Sequence, residues 1–120
     1  MMRTMLKSKV SYAVLTDLQL YYKGSITVDQ AIMEAANLKE GEQVDVLNVN
    51  TGGRLQTYVI KGEKNSGTIC LNGPAARLGF KGDKIIIISY AAYSEEELKG
   101  FKSQYVELDE QNKIKNTYLA

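Results

Sequence analysis

Four consecutive isoleucines, Ile85-Ile86-Ile87-Ile88, sit inside residues 84–93, the most β-branched segment of the chain. Branching at Cβ stiffens the side chain and suits a pleated, packed surface better than a helix. The segment therefore predicts a central strand, and the rest of the chain has to supply its neighbours. Residues 5–16 alternate loosely, with Leu6, Val10, Tyr12, Val14 and Leu15 among polar residues, and predict a long first strand. Residues 17–20 turn or begin a short second extended piece. Tyr21-Tyr22 favours extended backbone, which Gly24 then breaks. Residues 43–49 and 54–61 flank Asn50-Thr51-Gly52-Gly53, a strong hairpin signal. Residues 68–71 and 105–109 read as further short strands. The polar residues 111–120 are expected to fray.

Helix signals are few and local. Asp29 is placed to cap a helix running to about Asn37, with Ile32, Ala35 and Ala36 on one face. Pro74 fits the first turn of a short helix that Gly79 stops. Ser94-Glu95-Glu96-Glu97 has the form of a capping box opening another. Glu40-Gly41-Glu42, residues 63–67 and Lys81-Gly82-Asp83 are turns. In a chain of 120 residues, this pattern predicts a single domain, 1–120, and a mainly β fold. Its form is a small, closed or nearly closed β-barrel with two or three short helices.

Composition narrows the chemistry. The 15 basic and 14 acidic residues leave a net charge of +1, so nothing draws the chain electrostatically to nucleic acid or to an anionic membrane. The longest apolar run, residues 85–88, is far too short to span a bilayer, and residues 1–9 do not form a signal peptide. The expected compartment is a reducing cytoplasm. The single cysteine, Cys70, precludes an intrachain disulfide and argues against a cysteine-based metal cluster. There is no histidine, which removes the commonest neutral-pH acid/base, the commonest metal ligand and any Ser-His-Asp triad. No phosphate loop or metal-ligand spacing is present, and no metal is expected.

The candidate residues each have an ordinary reading. Arg54, Gln56 and Tyr58 share one face of a strand, with Thr57 on the other. They read either as an exposed edge with a snorkelling arginine or as a carboxylate binder beside an acid. If Thr57 also faces such a site, a bulge or a second wall is required. Asn72-Gly73-Pro74-Ala75 is a turn into a helix, or a place where a ligand approaches backbone N–H groups. Lys9 is a solvated charge by default, Cys70 a small buried residue and Tyr21-Tyr22 packing residues. Gly24-Ser25 alone is an ordinary turn pair.

Their order changes the picture. The start Arg3-Thr4-Met5-Leu6-Lys7-Ser8-Lys9 is followed by Tyr22-Lys23-Gly24-Ser25-Ile26-Thr27-Val28-Asp29. Asn50-Thr51-Gly52-Gly53-Arg54-Leu55-Gln56-Thr57-Tyr58 comes next, then Leu71-Asn72-Gly73-Pro74-Ala75-Ala76-Arg77 and Gly82-Asp83. In this order and spacing the chain resembles the pyruvoyl-dependent aspartate 1-decarboxylases over nearly its whole length. The resemblance implies a double-psi β-barrel, a homotetramer with sites between subunits, and conversion of L-aspartate to β-alanine and carbon dioxide for pantothenate and coenzyme A synthesis.

It also implies autocatalytic cleavage at Gly24-Ser25 into residues 1–24 and 25–120. Ser25 becomes a covalently bound pyruvoyl group that forms a Schiff base with the substrate, without metal or pyridoxal phosphate. Thr57 is the implied oxyanion donor during cleavage, supported by Asn72, and Tyr58 the implied proton donor to the decarboxylated carbon. Arg54 is expected to hold a substrate carboxylate, with Lys9 nearby. Gly73, Pro74 and Ala75 line the pocket and Tyr22 shapes it. Gly24 can adopt backbone conformations, including positive φ, that other residues resist, and strain is expected at the scissile bond. Family members often carry a histidine two residues after Lys9; here that residue is Ser11, so no role of that histidine transfers. Pro74 stands where alanine is frequent. Competing readings are an unprocessed, non-catalytic β-barrel binding or scaffold protein and a pyruvoyl decarboxylase of another acidic amino acid.

Overall fold

The isoleucine run forms β7 (Lys84–Ser94), which pairs on one edge with β1 (Met2–Val14) and on the other with β4 (Gln43–Asn48). The structure, a computed structural model, describes residues 1–120 throughout. The remaining strands are β2 (Asp17–Gln19), β3 (Ser25–Asp29), β5 (Arg54–Gly62), β6 (Ile69–Asn72), β8 (Gln104–Leu108) and β9 (Ile114–Leu119). The helices are α1 (Gln30–Ala35) and a 3-10 helix (Gly73–Leu78). The fold is thus mainly β with two short helices.

The strand order is β2-β6-β3-β5-β4-β7-β1-β8-β9. Only Leu15 and Thr16 separate β1 from β2, so the first strand bends and closes the sheet on itself. The Thr16 amide donates to the Ile69 carbonyl at 2.8 Å, and the Thr16 hydroxyl accepts from the Ile69 amide at 3.0 Å. The β8-β9 hairpin extends beyond the barrel from the other edge of β1. Parallel pairings join strands far apart in sequence, β1 with β8, β2 with β6 and β3 with β5. Such crossed connections fit the double-psi form that the resemblance implies.

Val10, Ala13, Leu15, Ile26, Val28, Val44, Val46, Val59, Ile85 and Ile87 fill the barrel, and Ile32 and Met33 of α1 complete the core. In β1 the inward parity changes from Val10 to Ala13 and Leu15 because a bulge inserts one residue. Tyr12 sits in that bulge with φ 62° and is exposed, so the simple alternation read for residues 5–16 does not hold. No helix is long and apolar enough to cross a membrane.

Other expectations are corrected. Residues 111–120 do not fray, because β9 pairs with β8 and Tyr118 stacks on Tyr105 with ring centroids 4.9 Å apart. Buried Asn112 anchors the turn, its Oδ1 accepting from the Val14 amide and its Nδ2 donating to the Val14 and Gly67 carbonyls. Ser94 and Glu97 form the two reciprocal capping-box hydrogen bonds, yet residues 95–100 are turns and no helix follows. Tyr21-Tyr22 lies in a bend rather than in extended backbone, and β3 occupies residues that carried no strand signal.

Asp29 caps α1 as expected, but the helix ends at Ala35. Its buried carboxylate accepts three amides, with Oδ1 taking Ala31 at 2.8 Å and Asn65 at 2.9 Å and Oδ2 taking Gly67 at 2.8 Å. The interaction ties β3, α1 and the turn before β6 together. Asp29→Ala is expected to cost about 3 kcal/mol by leaving these donors unpaired, and Asp29→Asn, which keeps Oδ1, distinctly less. Urea unfolding of the two variants checks the ranking.

Candidate active site

β3 lies between β5 and β6, and this position assembles the site. Antiparallel pairing sets Ser25 opposite Asn72 and Thr27 opposite Cys70. Parallel pairing sets Ile26 beside Val59, so one step back along the same register brings Ser25 alongside Tyr58 and Gly24 alongside Thr57. Two ladders thus bring residues from three distant segments to one peptide bond.

Ser25 is fully buried. Its hydroxyl donates to the Lys23 carbonyl at 3.3 Å and accepts from Asn72 Nδ2 at 2.9 Å. The same Nδ2 donates to Thr27 Oγ1 at 2.9 Å, and Asn72 Oδ1 accepts from Cys70 Sγ at 3.2 Å. Burial, with Asp17 adding to it, pushes the Cys70 thiol up. All four side chains are uncharged, so the burial of Ser25, Asn72 and Cys70 beside half-buried Thr27 carries no ionic desolvation cost.

The backbone next to this cluster is set by Gly73, at φ +65°. A Cβ there would lie 2.6 Å from the Tyr22 carbonyl oxygen and 2.9 Å from the Gly24 amide nitrogen. Residues 22–24 therefore pass directly over Gly73, and only glycine admits both the conformation and the contact. Gly24 itself lacks positive φ, and a Cβ on it would make only ordinary contact with Pro74 Cδ at 3.7 Å. The freedom that glycine offers for positive φ is not used at Gly24; the left-handed residue is Gly73, on the segment beneath.

A cavity of about 400 Å³ opens beside the bond, lined by Gly24, Leu55, Gln56, Thr57, Tyr58, Pro74, Ala75 and Leu78. Thr57 and Tyr58 lie on opposite faces of β5, yet both reach it. No bulge is involved, because the β4-β5 register is unbroken; the 3-10 helix supplies a second wall. Pro74 and Ala75 begin that wall, as the turn into a short helix predicts.

Arg54 lines an adjoining cavity of about 340 Å³ with Asp45, Leu47, Leu55 and Gln56. It shares a face of β5 with Gln56 and Tyr58. Lys9 is not brought to the cavity within one chain. It pairs with Ile88, Ile88 with Asp45 and Asp45 with Gln56, which places it three strands from β5, roughly 14 Å across the sheet. Tyr22 is half exposed and meets the site through its carbonyl over Gly73. Sequence reading missed Thr27 as a partner of Asn72 and treated Cys70 as packing alone. Their period-2 spacing from Ser25 and Asn72 was visible, but only the ladder register puts them face to face.

The donor set suits a group made from Ser25 itself. The residue is anchored on one side by Asn72, while its neighbour Gly24 borders open space next to Tyr58. Comparison with known proteins places the chain in a family. The aspartate decarboxylase family profile matches residues 1–115. The aspartate 1-decarboxylase of Thermoanaerobacter pseudethanolicus is 53% identical over 116 residues, covering 97% of this chain and 99% of that protein. That of Leptospira biflexa is 52% identical over 116 residues, covering 96% and 98%, and that of Acetivibrio thermocellus 54% over 113 residues, covering 94% and 90%. With a profile spanning almost every strand and relatives of matching length sharing half its residues, the barrel built around Ser25 belongs to the aspartate decarboxylase family.

Proposed function

We propose that this protein cleaves its own Gly24-Ser25 bond and then decarboxylates L-aspartate to β-alanine and carbon dioxide, using a pyruvoyl group made from Ser25. The observation that carries the reading is Ser25, buried with its hydroxyl fixed by Asn72, beside a cavity that Gly24, Thr57 and Tyr58 line. Membership of the family disfavours the alternative of an unprocessed scaffold. The product serves pantothenate and coenzyme A synthesis, and the working compartment is the cytoplasm.

The reacting groups of the self-cleavage come from this chain and one water. Ser25 Oγ attacks the Gly24 carbonyl carbon; the new C–O bond forms, the Gly24–Ser25 C–N bond breaks, and the hydroxyl proton passes to the nitrogen. Thr57, on the same cavity wall as Gly24, donates to the oxyanion that develops on the carbonyl. Loss of the Ser25 Cα proton then expels the Gly24 carboxylate by breaking the Cβ–Oγ bond. Water replaces the nitrogen at Cα and ammonia leaves. The products are residues 1–24, ending in a carboxylate, and residues 25–120, beginning with a ketone.

When present, the pyruvoyl ketone supplies the electrophile that takes the substrate amine and the sink for the electron pair left by carbon dioxide. The protein's side chains orient and protonate. Arg54 offers a planar pair of donors to a substrate carboxylate. The backbone of Gly73 to Ala75 borders the substrate, and Tyr22 shapes the approach. Tyr58, alongside residue 25 in the ladder, returns a proton to the decarboxylated carbon. Lys9 is three strands away in its own chain, so a role at the substrate would require a neighbouring copy, as in the homotetramer with sites between subunits that we propose.

Denaturing mass spectrometry of the purified protein is expected to show two pieces, 1–24 and 25–120; a single intact mass that persists after warming would overturn the reading. Ser25→Ala is expected to abolish both cleavage and β-alanine formation. Tyr58→Phe should still cleave yet form β-alanine at least ~100-fold more slowly, and normal turnover would remove Tyr58 from the acid role. Gly73→Ala should displace residues 22–24 and slow cleavage about tenfold or more, read as the fraction of intact chain over time.

A further inference from the structure

We propose that Cys70 and Thr27 are positioning residues for the self-cleavage, acting through the side-chain amide of Asn72. The inference rests on the self-processing reading above and assigns two side chains that it does not use. Ser25, Thr27, Cys70 and Asn72 form two facing cross-strand pairs on one side of the β3-β6 ladder. Asn72 sits among the other three and is saturated by them. Its two amide protons go to Ser25 Oγ and Thr27 Oγ1, both at 2.9 Å, and its carbonyl takes the Cys70 thiol proton at 3.2 Å.

The orientation of that amide matters to the chemistry. Ser25 Oγ is the atom that attacks Gly24, and in the elimination it departs as part of the Gly24 carboxylate. An N–H aimed at Oγ meets growing negative charge as the Cβ–Oγ bond breaks. With the amide turned over, a carbonyl oxygen would face that carboxylate, and two acceptors would meet with no proton between them. The two hydroxyls do not forbid the turned-over state, since each can donate as well as accept. Cys70 disfavours it: its S–H donates to Oδ1 at 3.2 Å, with the Leu71 carbonyl at 3.8 Å as its other acceptor, and its sulfur is only a weak acceptor for a turned-over NH2 group. Burial holds the thiol in its neutral, proton-bearing form. Thr27 occupies the second amide proton, so the group does not pivot when Oγ moves from Ser25 Cβ to the leaving carboxylate.

The arrangement predicts a chemical requirement rather than a packing one. The full chain should be purified early, and the loss of intact mass followed for wild type, Cys70→Ala, Cys70→Ser, Thr27→Val and Thr27→Ser. Cys70→Ala and Thr27→Val are expected to slow cleavage about tenfold each, the worth of one buried hydrogen bond. Cys70→Ser and Thr27→Ser, which restore a donor and an acceptor respectively, should stay within about threefold of wild type. If Cys70→Ala does not fold, the Thr27 pair carries the comparison in a side chain of almost unchanged volume. Wild-type rates in Cys70→Ala and Thr27→Val overturn the proposal, as do serine variants as slow as their apolar counterparts. A wild-type chain that never cleaves overturns the self-processing reading and this inference with it, whereas a cleaving wild type beside equally fast variants overturns this inference alone.

Discussion

Residues 22–24 rest so tightly on Gly73 that no side chain fits between them. The site depends on this contact. It fixes the path of the chain into β3, and hence the placement of Ser25 opposite Asn72 and beside Tyr58. The attack proposed for Ser25 on its own neighbouring bond would need this kind of restraint, because the reacting atoms differ from those of any other Gly-Ser pair only in their geometry. The conformational restriction lies on the supporting segment, at the left-handed Gly73, while Gly24 itself has no positive φ.

The absence of histidine gives the site a consistent electrostatic character. Hydroxyls, an amide and a thiol line the buried side of residue 25, and every buried side-chain polar atom in the protein has a partner. A neutral network of this kind can be fully desolvated because each donor meets an acceptor, and in low dielectric its hydrogen bonds strengthen one another. The cation, Arg54, stays at the more open end of β5, where a substrate carboxylate can reach it without a buried charge being left unpaired between turnovers.

Much of this was legible because the signals were local. The β-branched run of β7, the Asn50-to-Gly53 hairpin, the Asp29 cap and the Pro74 turn each declare themselves within a few residues. The order of the motifs pointed to Ser25, Asn72, Thr57 and Tyr58. What was hidden is non-local. β3 has only Ile26 and Val28 as alternating apolar residues and becomes a strand because β5 and β6 hold both its edges. β9 has no buried face and is specified by its pairing and by Asn112 in the turn. The bulge at Tyr12 reverses the inward parity of β1, which no period-2 reading anticipates. Gly24 drew attention as the residue at the scissile bond, yet the glycine that the geometry demands is Gly73. Thr27 and Cys70 looked inert until register placed them across from each other.

The bend from β1 into β2 has a consequence for the life history of the molecule. Both strands lie before Gly24, and β1 is woven between β7 and β8 while β2 lies on β6. The proposed cut after Gly24 would turn a unimolecular fold into a complex of two polypeptides held by strand ladders, by the packing of Val10, Ala13 and Leu15 in the core and by the hydrogen bonds of Asn112 to Val14. From then on, loss of the small piece opens the barrel, and its return is a second-order event governed by mass action. The proposed cleavage would therefore have to follow folding, because the intact chain supplies the effective concentration that brings β1 and β2 into place. If Ser25 is consumed as proposed, it can be spent only once, and a molecule whose pieces had parted could be repaired only by re-pairing them, never by making its electrophile again.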